Sequence, residues 1–369
     1  MTIRFWGRGS GEKERGGILK RLQQDPNNRD LLHEAVVYLE GERLYPEAID
    51  HLEKLLAMEP DNLELLNTAG RLLRKTGRHE ESLARLEHGV HVASDDLETQ
   101  VNFAKTLMAL DRWGEAEKNV LRLLSRNPGV PICHYALGVL RTRQDRFDEA
   151  IQAYERALEL DPKFARAHSN LGLLYDQTGR IDEALSHFRR AIRLEPEKPE
   201  WHLNLGAVYG EKGMSQEAVA EFQEALGLDP KNVEAHFNLG MIFHDQGAFE
   251  DAIREFKIAV ESEPDNIKAH YLLGRAYIRR GIYDRARKQM NRVLSLDPDN
   301  AKAYYYLGVA ENKREKIDEA IAALERAISI NPDDGKPYYV LGIAYDKKGA
   351  GDKAREAYRT ADRLIQASR

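Results

Sequence analysis

Five histidines, His134, His168, His202, His236 and His270, stand 34 residues apart. Imidazole binds metals and moves protons, so an evenly spaced row invites a chemical reading. Asparagines form a second row: Asn170, Asn204 and Asn238 each precede a Leu-Gly pair, and Asn102 holds the same register upstream. A carboxamide carries both donor and acceptor and can pair with a peptide bond. Cations and rings form a third set. Lys268, Lys302 and Lys336 share one register, Tyr271, Tyr305 and Tyr339 a second, and Arg279, Lys313 and Lys347 a third, with Arg275 beside them. That set suits an acidic peptide with apolar anchors, because carboxylates gain charge-assisted hydrogen bonds and rings supply contact area.

Spacing decides among these chemistries. Groups on successive packed helices lie roughly 10 Å apart, given helix packing distances of about 8–10 Å. Zinc needs its ligands about 2 Å from one centre. A histidine row at the larger spacing cannot share one ion, so it reads as aromatic packing between helices and not as a metal site. The asparagine row fits an extended chain better, since about three residues at roughly 3.3 Å each cover one rung. Such a ladder would grip backbone and tolerate many sequences; a local structural hydrogen bond is the alternative reading of the same amides. Catalysis needs different groups converging on one pocket, whereas these groups are periodic. No P-loop, dinucleotide glycine fingerprint or nucleophile elbow is present. Glu149, Glu183 and Glu319 read as exposed first-turn helix charges. The chain reads as no enzyme, and no cofactor is called for.

The elements that carry these rows follow from the prolines. Pro162, Pro196, Pro230, Pro264, Pro298 and Pro332 are 34 residues apart, and the ruler extends back through Pro128, Ser94, Pro60 and Pro26 and forward to Gln366. Within residues 165–198, Leu171, Leu174 and Tyr175, then Ala184, Leu185, Phe188, Ala191 and Ile192, recur at helical steps. Gly179 between them ends the first helix, and Asp182 is expected to cap the second. Pro196 stops that helix. Ala218, Ala252, Ala286, Ala320 and Ala354 place a small residue where two helices meet.

The period, Leu171-Gly172, Ala184, Phe188, Ala191 and Pro196 together resemble the tetratricopeptide repeat. The resemblance covers about nine-tenths of the chain, with repeats beginning at 29, 63, 97, 131, 165, 199, 233, 267, 301 and 335. It implies an all-α fold, a right-handed superhelical α-solenoid of about ten 34-residue helix-turn-helix repeats, with the first helices lining a concave groove. Residues 29–130 hold the divergent repeats 1–3, where Val36 and Ala104 replace the first-helix glycine, Gly89 replaces an alanine and Ser94 a proline; residues 131–368 hold repeats 4–10. Residues 1–17 read as a flexible basic tail and 18–28 as a partial capping helix.

In this family, positions 2, 5, 9, 12 and 13 of each first helix face the groove. That places the lysine, tyrosine and arginine set above on it, while Glu200 and Glu234 hold position 2 upstream. The asparagine row is similar to the ladder in the repeat arm of O-linked N-acetylglucosamine transferase. The co-chaperone carboxylate clamp does not map, because Leu272, Tyr306 and Val340 occupy position 6. The resemblance thus implies a non-catalytic scaffold that binds a peptide segment of a partner protein, acidic at the C-terminal end. A self-assembling structural protein, joined through its repeat ends as a homo-oligomer, and a regulatory or substrate-recruiting subunit of a transferase complex are the alternatives.

Charge and composition bound the setting. Residues 267–369 carry 21 Lys or Arg against 14 Asp or Glu in a chain of formal net charge −6. The acidic remainder disfavours nucleic acid as a partner. No apolar run reaches the roughly 18 residues of a membrane helix, and a membrane contact stays open only for the tail with Phe5 and Trp6. The start lacks the apolar core of a signal peptide, and the lone Cys133 excludes a disulfide framework. A cytoplasmic location is the expectation.

Overall fold

The computed structural model describes residues 17–367 apart from 19 and 23. The proposed tail, 1–17, therefore lies outside the described residues save for Gly17. Among the described residues there is no strand. Helix pairs follow one another at the sequence period. The first helices are α1 (Arg29–Gly41), α3 (Leu63–Lys75), α5 (Leu97–Ala109), α7 (Pro131–Arg143), α9 (Ala165–Gln177), α11 (Pro199–Glu211), α13 (Val233–Asp245), α15 (Ile267–Arg279), α17 (Ala301–Lys313) and α19 (Gly335–Lys347). Each is followed by its partner: α2 (Tyr45–Met58), α4 (His79–Val92), α6 (Trp113–Arg126), α8 (Phe147–Leu160), α10 (Ile181–Leu194), α12 (Ser215–Leu228), α14 (Phe249–Ser262), α16 (Tyr283–Leu296), α18 (Ile317–Ile330) and α20 (Gly351–Ala367). The fold is an α-solenoid of stacked helix pairs. It divides into two compact units, one through Leu174 and one from Tyr175 onward.

The first helices start on side-chain caps. Asn28, Asn62, Asp96, Asn232, Asn266, Asn300 and Asp334 each accept a hydrogen bond from a backbone N–H of the first turn. This satisfies a donor that has no partner inside the helix. Repeats 4 and 6 instead put Pro131 and Pro199 in the first turn, where the missing N–H loses nothing. The second helices are built differently, and the expected Asp182 cap is corrected here. The N-cap is Arg180, whose side chain makes no cap bond, and Asp182 already lies inside the helix, 93% exposed, accepting from Lys212. The left-handed residue just before, Gly179 at φ 76°, turns the chain so sharply that helical geometry begins earlier than the acidic pair. Arg180 reaches Glu183 instead, as Arg78 reaches Glu81, Arg112 reaches Glu115 and Arg146 reaches Glu149.

Between the helices the chain closes a six-to-one turn. Ile282 N–H bonds the Tyr277 carbonyl at 2.8 Å across Gly281, which sits at φ 78°. The same turn forms around Glu315 at φ 63°, with Lys316 N–H on the Glu311 carbonyl at 2.9 Å. Arg43, Asp111 and Asp145 also hold this left-handed position without glycine.

Packing within a pair rests on an interlock. A Cβ on Gly240 would lie 2.7 Å from Phe256, and one on Gly206 would lie 2.8 Å from Phe222. Gly274 faces Met290, Gly308 faces Leu324 and Gly342 faces Tyr358 in the same way. Both phenylalanines are fully buried, so each ring fills the notch left by a missing side chain. At the N-terminal end, Ile18 and Leu22 join the buried cluster of Leu31, Leu32 and Leu66.

Candidate functional site

The site is built on the second unit, where first helices of successive repeats stand side by side. Their positions 5, 9 and 13 recur after four residues and so share one helix face. On α15 this puts Arg275 and Arg279 one turn apart. Beside them, α13 contributes His244 and Asp245, the start of α14 contributes Phe249, and α17 contributes Tyr305, Tyr306 and Val309. Together with Ile278 they enclose a hollow of about 470 Å³.

The cations lie on rings. The Arg275 guanidinium lies 5.7 Å from the Tyr271 ring and 5.8 Å from that of Tyr306, and Arg279 lies 5.4 Å from Phe249. These are cation–π distances. Tyr306 packs edge-on against Tyr271 at 5.6 Å and Tyr305 at 4.8 Å. Burial pushes the Tyr271 hydroxyl up to about 12, with Tyr306 adding to it, and burial also raises Tyr305. Both phenols therefore stay neutral at physiological pH and can donate. His244 completes the wall: its Nδ1 faces Asp245 at 3.3 Å, its ring packs on Phe249 at 5.7 Å, and its buried Nε2 has no hydrogen-bond partner among the described residues.

The structure sorts the residues singled out from the sequence. Arg275, Arg279 and Tyr305 line this hollow, and Tyr271 touches Arg275 and Tyr306 without lining it. Lys268 does not line it and places its ammonium 4.7 Å from the Phe237 ring. Lys302, Lys313 and Lys336 are exposed on their helices. Tyr339 is 51% exposed and leans on Tyr358 at 5.7 Å. Lys347 is drawn elsewhere: its ammonium donates to the Asn312 carbonyl at 2.9 Å and lies 3.6 Å from Glu315, tying repeat 10 to repeat 9.

The asparagines do not present one uniform row. In the first unit, Asn170 donates to the hydroxyls of Tyr135 at 3.2 Å and Tyr154 at 3.3 Å, and Asn102 is buried, donating to Asn67 at 3.1 Å. In the second unit, Asn204 and Asn238 are half-buried, and Asn204 also makes an interaction within the protein.

The histidine row is hydrogen-bonded bracing, which corrects its reading as aromatic packing. His236 places Nδ1 2.7 Å from Glu255 and Nε2 3.2 Å from the Pro230 carbonyl. His270 does the same with Gln289 at 2.6 Å and the Pro264 carbonyl at 2.9 Å. His202 meets Glu221 at 2.7 Å, and His134 meets the Pro128 carbonyl at 2.8 Å. Each ring fastens a first helix to the preceding loop or to its partner helix.

His244, Asp245, Phe249 and Tyr306 were missed by sequence reasoning. His244 and Asp245 hold positions 12 and 13 of repeat 7, level with Ile278 and Arg279 of repeat 8. Comparing those positions across neighbouring repeats would have found them. Phe249 and Tyr306 carry no such signal, because they lie outside the five groove positions.

Profiles of the tetratricopeptide repeat match residues 101–165, 135–199, 169–233, 203–267, 245–301 and 271–335, and a second profile described in the same words matches 39–100 and 312–368. The chain belongs to the tetratricopeptide repeat family, a class of protein-interaction scaffolds. Among solved structures, the APC/C hetero-tetramer Cut9-Hcn1 shares the fold at a TM-score of 0.57 and 20% identity, over 86% of this chain and 63% of that one. MamA is 31% identical over 44% of this chain and 96% of its own, with a TM-score of 0.43. YrrB, described as a TPR protein with an unusual peptide-binding site, is 26% identical over 51% of this chain and 96% of its own, with a TM-score of 0.47. No curated protein matches the chain. Among the described residues, no helix is long and apolar enough to cross a membrane.

Proposed function

We propose that the chain is a non-catalytic scaffold that binds an acidic peptide segment of a partner protein on the first-helix face of repeats 7–10. One observation carries the reading. Arg275 and Arg279 stand against tyrosine and phenylalanine rings at a hollow, and Lys302, Lys313 and Lys336 are exposed on the next two first helices. Guanidinium on an aromatic ring keeps its hydrogen-bonding fork available for an incoming carboxylate. Neutral tyrosine hydroxyls add donors, and the rings add apolar area at low entropic cost. Asn204 and Asn238 supply amides to the peptide backbone on the neighbouring repeats. At the other end of the chain, residues 18–28 act as a cap, covering α1 with Ile18 and Leu22.

Binding of acidic, neutral and basic peptide libraries to the full chain tests this. Acidic members are expected to be retained, with affinity falling as salt rises. Replacing Lys268, Lys302 and Lys336 together by Glu should abolish retention while helicity is unchanged. Retention of the same peptides by that variant would show the basic face to be solvated surface only.

A further inference from the structure

Several guanidiniums in the second unit hold a carboxylate already. Arg280 pairs with Glu250, Arg292 with Asp265, Arg314 with Asp284 at 2.8 Å, and Arg326 with Asp299 at 2.8 Å. Arg275 and Arg279 have no such carboxylate partner among the described residues: both rest on rings, and both line the same hollow. About 470 Å³ lies within the roughly 300–1,000 Å³ of small-ligand pockets and exceeds what one carboxylate fills. Tyr305, Tyr306, Ile278 and Val309 add aromatic and aliphatic surface beside the two cations.

Two uncompensated guanidiniums match a dianion better than a single carboxylate. A phosphate monoester carries about −1.5 to −2 charges and three terminal oxygens, enough to engage both forks. A glutamate side chain would satisfy one fork and leave the rings uncovered. An aromatic stem would lie against the tyrosines while its phosphate meets the arginines. The rim holds one opposing group: Asp245, 79% exposed and fastened to His244.

We infer that this hollow takes an aryl phosphate, namely a phosphorylated tyrosine side chain of the bound peptide. The inference rests on the reading of this face as a peptide-binding one, and it makes that binding dependent on phosphorylation.

Titration calorimetry on the full chain tests it, using phenyl phosphate, inorganic phosphate, and one acidic peptide with its tyrosine phosphorylated or bare. Phenyl phosphate is expected to bind at least about tenfold more tightly than inorganic phosphate, and the phosphorylated peptide about tenfold more tightly than the bare one. Arg275→Gln and Arg279→Gln should each weaken phenyl phosphate by about tenfold. Asp245→Asn removes the repulsion, leaves every donor in place and should tighten binding, which a fold defect could not do. Circular dichroism checks that each variant keeps its helices. The inference is overturned if phenyl phosphate does not saturate the wild type, if it binds no better than inorganic phosphate, or if folded arginine variants bind as wild type. If the bare peptide binds and phosphorylation adds nothing, this inference falls and the peptide reading stands. If phenyl phosphate binds while neither peptide does, the peptide reading falls, and with it the assignment of the aryl phosphate to a peptide.

Discussion

Repeat 3 and repeats 6 to 9 solve the same packing problem with opposite chemistry. In repeats 6 to 9 a glycine on the first helix receives Phe222, Phe256, Met290 or Leu324 from the second. In repeat 3 that glycine is Ala104, and the residue in the register of the ring is Val120, 1% exposed. Buried polar side chains join this repeat to its neighbour. Asn102 donates to Asn67, Asn67 donates to Thr99 at 2.9 Å, and Thr99 donates to Asp96 at 2.6 Å. Ser82 bonds the Gly70 carbonyl at 2.7 Å and meets Thr106 at 3.0 Å. Repeat 2 keeps the interlock, with Gly70 against Leu86, and directional bonds join it to repeat 3. A single methyl group breaks the first kind of contact, whereas the second fails when one donor is removed and its partner stays buried.

The largest effect that would sharpen this contrast is on the rings. Phe256→Ala should cost about 3–5 kcal/mol, and Val120→Ala at the matching register about 2 kcal/mol. Stacked repeats interact mainly with their neighbours, so the loss should be local. Hydrogen exchange resolved by segment should show deprotection centred on α13–α16 for the first variant and on α5–α7 for the second. Equal losses at the two positions would mean that the glycine interlock is no stronger than ordinary aliphatic packing.

A smaller effect tests the polar region. Asn102→Ala leaves the Asn67 carbonyl oxygen without its donor and should destabilise by about 1–3 kcal/mol, by urea unfolding. Replacing Asn67 and Asn102 together by Leu removes donor and acceptor at once, at the expense of the Thr99 contact. Its loss should be smaller than the sum of the two single alanine variants. Additive losses would show that the bonds act separately and not as a network.

Much of this was legible in the sequence, and the reasons for the rest are physical. Helix pairs were visible because Pro, Gly and the small residues act on the backbone locally, through φ restriction and close approach. Left-handed turns at Arg43, Asp111, Asp145 and Glu315 were not visible, because no glycine marks them; tertiary packing of the two flanking helices holds the strain. The histidine row was visible but its bonds were not, since Glu255 and Gln289 lie 19 residues downstream on another helix. Columns of like residues drew attention to Lys347, which the structure turns onto Asn312, and away from the hollow, whose lining changes type from repeat to repeat. Asn102 shares the register of the half-buried Asn204 and Asn238, yet it lies inside the polar core of the first unit.

One further pair of sites repeats the contrast in charge. Glu117, at position 21 of repeat 3, pairs with Arg141 at position 11 of repeat 4; Arg287, at position 21 of repeat 8, lies 3.8 Å from Glu311 at position 11 of repeat 9. The register is the same and the signs are exchanged. Hydrogen bonds from Arg141, and then from Gln144 at 2.8 Å, hold the Glu117 carboxyl below the ordinary glutamate range, against a burial effect that raises it. A depressed carboxylate contributes stability that is fully present above its unfolded value and is lost as pH falls through its folded value. Glu117 is 21% exposed, so solvent screening keeps the effect to about 1 kcal/mol or less. Glu117→Gln should therefore lower the urea midpoint at pH 7, and the gap to wild type should close as pH drops below the ordinary glutamate range. Adding Arg141→Gln should remove the pH dependence that separates the two. A gap that stayed constant into acid would mean that Glu117 acts by shape and hydrogen bonding alone, and that exchanging the signs between the two units has no electrostatic consequence.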